Sequence, residues 1–150
     1  MARTATILLV EDDPNDVLLV RKAAQNTLAG IPISVAPNGE EAVNYLSGTG
    51  AYADRSKYPF PDIVLLDLKM PVMNGFEVLR WVRSQPALKR LPVIIFTGSV
   101  HESDTKTAYE EGANSYLIKP GNFNDLVETM RNVGEFWLRG TKLPNIEGSA

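Results

Sequence analysis

The sequence contains no cysteine, which excludes disulfides, zinc–thiolate sites and thiol nucleophiles together. It lacks an excess of basic residues: the formal charge is −3, so there is no electrostatic footprint for nucleic acid as a main partner. It lacks a long apolar run at its start. "MARTATILLVEDD" holds one short apolar stretch before three acids, too brief for a signal peptide or a membrane span, and the expected location is the cytoplasm. Repeats and low-complexity tracts are absent as well. What remains is ordinary for a globular protein: 150 residues, 44% hydrophobic and 22% charged, enough for one domain with a single core.

Apolar runs alternate with helical patterns. Thr6–Val10, Ile33–Ala36, Asp62–Asp67, Pro92–Thr97 and Ser115–Lys119 read as strands. Apolar runs without polar alternation suit strands covered on both faces, as in a parallel sheet. Between them, three- and four-residue apolar spacing predicts helices over Asp16–Leu28, Asn38–Leu46 and Asn74–Ser84. A further helix is expected from Ser99, whose spacing to Glu102 is that of a capping box, to a stop near Gly112. A long last helix, capped by Asn122, shows Phe123, Leu126, Met130, Val133 and Trp137 on one face, with Phe136 and Leu138 off it. This alternation predicts a (βα)5 chain of the α/β class with right-handed crossovers. The segment Ser47–Asp62 is long for a connection; its aromatics Tyr52, Tyr58 and Phe60 are expected to pin it down. The tail from Arg139 is expected to fray.

In "IVLLDLKMPVMNG" the run Ile63–Leu66 leads straight into Asp67. A charge does not stay in a core unless it is paired or metal-bound, so Asp67 marks either a strand leaving the core or a residue placed to react. In an open α/β sheet ligands bind beyond the carboxyl ends of the strands. Glu11, Asp12 and Asp13 follow the first strand, Asp67 ends the third, Thr97 and Gly98 end the fourth, and Lys119 and Pro120 end the fifth. Carboxylates without histidine or cysteine favour a hard cation such as Mg2+, and with a hydroxyl and an ammonium they suggest phosphoryl transfer to a carboxylate. Taken singly, each residue also has a structural reading: acids can favour a helix N-terminus, a threonine can end a strand, a lysine can be solvated. Their recurrence at successive strand ends favours a site.

At this point the sequence resembles the receiver domain of two-component response regulators. The motifs "LLVEDDPND", "DIVLLDLKMPVMNG", "VIIFTGS" and "GANSYLIKP" carry the resemblance, which spans Thr6 to about Leu138. It implies a doubly wound, flavodoxin-like, five-stranded parallel sheet in the order 2-1-3-4-5. It implies that Asp67 accepts a phosphoryl group from a histidine kinase, and that Asp12, Asp13, Asp67 and the backbone carbonyl of Lys69 hold Mg2+. Thr97 and Lys119 would bind the phosphoryl oxygens, and Tyr116 would be the aromatic switch that follows Thr97. Gly98 would leave room for the phosphodonor, and the Lys119–Pro120 bond would be cis. The loop Ser47–Asp62, "GANSYLIKP" and "FWL" look closer to the small single-domain regulators of cyanobacterial and bacterial phytochromes.

The resemblance further implies one receiver domain over 1–150, with a core of about 5–138, a tail of 139–150 and no output domain. The signal would leave through the surface of the fourth helix, fifth strand and fifth helix, by protein–protein contact that includes a homodimer. Such a protein is a switch that catalyses its own phosphorylation and dephosphorylation, not a turnover enzyme. Three other readings stand beside it. A dehalogenase-type phosphatase needs a second acid two residues after the nucleophile, where this chain has Lys69. A flavodoxin-like cofactor binder needs a phosphate loop after the first strand, where this chain has "EDDPND". A phosphorylation-independent docking module would leave the aspartate, threonine and lysine set without a purpose.

Overall fold

The computed structural model describes residues 5–146. Five strands, β1 (Ile7–Val10), β2 (Ile33–Ala36), β3 (Ile63–Leu66), β4 (Val93–Thr97) and β5 (Ser115–Ile118), alternate with helices α1 (Pro14–Thr27), α2 (Gly39–Ser47), α3 (Gly75–Ser84), α4 (Glu102–Glu110) and α5 (Phe123–Val133). All strand pairs are parallel, in the order β2-β1-β3-β4-β5, as expected. None of the described helices is long and apolar enough to cross a membrane.

The unbroken apolar runs are explained by two cores. Leu8, Val10, Val64, Leu66, Val93 and Ile95 face one cluster with α2 and α3. Ile7, Leu9, Ile63, Leu65, Ile94 and Phe96 face the other with α1 and α5. Period-two side-chain alternation therefore puts an apolar residue on both faces at every step.

Register sets the site. Val10 pairs with Leu66 and with Ala36, and Thr97 pairs with Ile118. The ladder runs one residue further: Glu11 N–H donates to Ala36 O (3.1 Å), Asp67 N–H to Val10 O (3.1 Å) and Lys119 N–H to Thr97 O (2.8 Å). Glu11 and Asp67 are thus held side by side where their strands end.

Several expectations are corrected. Ser99 does not cap α4: its Oγ donates to the Asp104 carboxylate (2.5 Å), and His101 stands at the cap without a side-chain bond. A carboxylate is the stronger acceptor, and it takes the hydroxyl. The last helix widens into a π-helical segment, Gly134–Gly140, so Leu138 turns back to the α1/α5 core while Phe136 stays exposed. As far as residue 146 the tail is docked rather than frayed, and 147–150 lie outside the described residues: Leu143 packs on the α1/α5 core, Ile146 is buried in the opposite one, and Arg90 donates to Asn145 O (3.2 Å). The Lys119–Pro120 bond is trans, and the described residues contain no cis peptide.

The Ser47–Asp62 segment is pinned as expected. Tyr52 lies 5.0 Å from both Tyr45 and Tyr58, centroid to centroid; Phe60 is buried; and Arg55 donates to Tyr45 O and Leu46 O at the end of α2, which favours a cation.

Asn74 and Glu77 form a capping box that starts α3, and Gly75 lies against the backbone below the site. A Cβ there would overlap Asp67 O and sit 2.8 Å from Leu68 Cα. Gly75→Ala should cost about 1–3 kcal/mol, as overpacking does, despite alanine's better helix propensity. Urea unfolding of the two proteins checks this; an alanine variant as stable as the parent would show that the β3–α3 loop has slack.

Candidate functional site

The carboxyl ends of β1, β3 and β5 bring carboxylates around one ammonium. Lys119 Nζ lies 2.5 Å from Glu11 Oε2, 2.8 Å from Asp16 Oδ2 and 3.3 Å from Asp67 Oδ2. Glu11 and Asp67 are buried, and this pairing is what keeps two acids there. Burial lifts the Glu11 carboxyl from 4.5 to about 7, against the pull of the Lys119 ammonium and the Asp13 N–H, and the Asp67 charge adds to the rise. For Lys119 burial works against the charge, but Asp16, Glu11 and Asp67 outweigh it and hold the ammonium above its ordinary value.

Oxygens of Glu11, Asp12 and Asp67 lie within 4.8 Å of one another. An all-oxygen set of this size fits a hard divalent cation. Here the structure departs from the sequence-based expectation: Asp12 and Asp67 are in the group, Glu11 joins it, and Asp13 does not. The Asp13 carboxylate accepts the Asn15 N–H (2.8 Å) as the cap of α1, while its own N–H donates to Glu11 Oε1 (3.1 Å). Three consecutive acids straddle the end of a strand and the start of a helix; the helix claims the third as its cap.

The other expected residues surround the same point. Lys69 N–H donates to Asp67 Oδ1 at a long 3.4 Å, which puts its backbone at the site, while its ammonium turns away to Asp104 (3.1 Å). Thr97 is fully buried, and its Oγ1 accepts the Ser99 N–H (3.4 Å). Tyr116, half-buried, donates its hydroxyl to Ser99 O (3.0 Å). Thr97 and Tyr116 are therefore joined through the two ends of one residue. The cleft over Asp67 and Lys119 is walled by Asp16, Lys69, Gly98 and His101, and a Cβ on Gly98 would face open space.

The sequence places Glu11 among the strand-end acids but the ligand set taken from the resemblance omits it, and sequence reasoning misses Asp16 as a partner of Lys119. Glu11 is the first polar residue after an apolar run, the same rule that picks out Asp67. Asp16 carries no such signal, because an acid in a first helical turn is common for electrostatic reasons alone.

A family model for the response regulator receiver domain matches residues 7–131. Response regulator Rcp1 of Synechocystis sp. is 36% identical over 138 residues, 92% of each chain. The crystal structure of the phosphorylated cyanobacterial phytochrome response regulator RcpA superposes with a TM-score of 0.88 at 35% identity, covering 95% of this chain and all of that one. The Mn2+-bound form of Rcp1 gives a TM-score of 0.83 at 35% identity, over 94% of this chain and 99% of that one.

A carboxyl that holds its proton more tightly when folded contributes stability at low pH and loses that contribution as pH rises from its unfolded to its folded value. For Glu11 that window is 4.5 to about 7. The stability of the metal-free protein relative to Glu11→Gln should therefore fall as pH rises through this window. Urea midpoints at about pH 5 and about pH 8 test it; a difference that stays constant or grows with pH would show that the Glu11 carboxyl is not lifted.

Proposed function

The chain belongs to the response regulator receiver family of two-component systems, and from that premise we propose that Asp67 is the acceptor of a phosphoryl group from a sensor histidine kinase. The observation that carries the reading is the buried Asp67 carboxylate, 3.3 Å from the Lys119 ammonium and open to a cleft. In the transfer, an Asp67 oxygen forms a bond to phosphorus as the bond from phosphorus to the donor's nitrogen or oxygen breaks, and the electron pair leaves with the donor. Glu11, Asp12, Asp67 and the Lys69 carbonyl are the proposed ligands of Mg2+, which when bound neutralises charge on the phosphoryl oxygens. Lys119, already within reach of Asp67, donates to one of these oxygens, and the Thr97 hydroxyl donates to another. Turning toward that oxygen moves Thr97 relative to the Ser99 N–H, which its Oγ1 accepts. Ser99 O is the acceptor of the Tyr116 hydroxyl, so Tyr116 follows.

Members of this family are generally not turnover enzymes, and the reading here is a self-catalysing switch in a single receiver domain. Its proposed kinase is a phytochrome, on the likeness to RcpA. Its proposed output is contact with another protein, a second copy of the chain included, through α4, β5 and α5. That surface presents Tyr109, Ile118 and Phe136 to solvent beside an edge strand whose outer backbone groups can pair with a partner.

Intact mass after incubation with Mg2+ and acetyl phosphate tests the chemistry. The expected result is the gain of one phosphoryl group, absent without Mg2+ and absent in Asp67→Asn; the same samples in sedimentation should show more dimer when labelled. A protein that stays unlabelled where an established receiver is labelled would point to the docking module instead.

A further inference from the structure

An ammonium offers three N–H donors, and three carboxylates take those of Lys119: Glu11, Asp16 and Asp67. Two of the three, Glu11 and Asp67, also belong to the oxygen cluster that fits a divalent cation. Asp16 does not. It stands on the first turn of α1, its side chain one-third exposed, and it reaches the cleft from the side. Two cations cannot draw equally on Glu11 and Asp67. They repel each other, and at a given distance a doubly charged ion attracts a carboxylate twice as strongly as an ammonium does. Once the divalent cation is in place, Asp16 is the only one of the three that the ammonium does not share.

We propose that Asp16 is a positioning residue for phosphoryl transfer, retaining the Lys119 ammonium in the cleft when a divalent cation draws on Glu11 and Asp67. Its consequence for transfer rests on Asp67 being the phosphoacceptor; its geometry does not. The competing role for an acid at this place is to favour the helix N-terminus. That role is indifferent to the metal and to Lys119.

The ammonium of Lys119 can be observed directly by 15N–1H NMR, its resonance identified by its loss in Lys119→Arg. In the parent protein a solvent-protected signal should be present with and without Mg2+. In Asp16→Asn it should persist in the metal-free protein, where Glu11 and Asp67 still hold the ammonium, and vanish when Mg2+ is added; Asp16→Glu should bring it back. At saturating Mg2+, Asp16→Asn should take label from acetyl phosphate roughly ten-fold more slowly, the scale of one hydrogen bond to a charged group. A signal that survives Mg2+ in Asp16→Asn, or one already lost without it, overturns the proposal. A parent protein that takes no label overturns the phosphoacceptor reading alone, and the ammonium signal still decides the role of Asp16.

Discussion

One ammonium among carboxylates is the constraint on which the rest of the site depends. Glu11 and Asp67 are buried side by side, and two anions so placed are not tolerated without a cation. Lys119 supplies that cation in the structure described. The ammonium favours this arrangement, yet it leaves oxygens of Glu11, Asp12 and Asp67 close enough to accept a second cation. The Lys119 ammonium thus holds the acidic cluster together in the absence of a phosphoryl group whose charge it would neutralise.

The sheet brings these charges together by its register. Parallel strands that begin at one edge end at the other, so residues one step beyond β1, β3 and β5 share a rim. The ladder bonds of Glu11, Asp67 and Lys119 fix their backbones, and only the side chains can respond. Ser99 joins two further side chains: its N–H donates to Thr97 Oγ1 and its carbonyl accepts the Tyr116 hydroxyl. Its hydroxyl binds Asp104, which also pairs with Lys69. The loops after β3 and β4 are therefore coupled to β5 by short, specific contacts near the surface and not through either core.

The fold was legible because each strand is an apolar run with a defined polar end and each helix carries its own spacing. The placement of Asp67, Thr97 and Lys119 at the strand ends is legible for the same reason. The acidic run 11–13 was not, since a shift of a single residue decides between the last ladder position, a solvent-facing oxygen and a helix cap. Asp13 caps α1, and Glu11 lies with Asp12 and Asp67 in the oxygen cluster. Asp16 was hidden by the commonness of acids in first helical turns. The anchoring of the tail up to residue 146 is not legible in the sequence because Leu143 and Ile146 are isolated apolar residues that form no periodic pattern; only tertiary contact reveals them.

The central claim is that the cluster of Glu11, Asp12 and Asp67, balanced by Lys119, is a divalent-cation site. A crystal soaked in Mn2+, with the ion located by its anomalous scattering, tests this most directly. The account predicts one strong peak among the Glu11, Asp12 and Asp67 carboxylates, with Asp13 still on the Asn15 N–H and Lys119 still in the cleft. A peak bound by the Asp13 carboxylate, or no peak at the cluster, would contradict it.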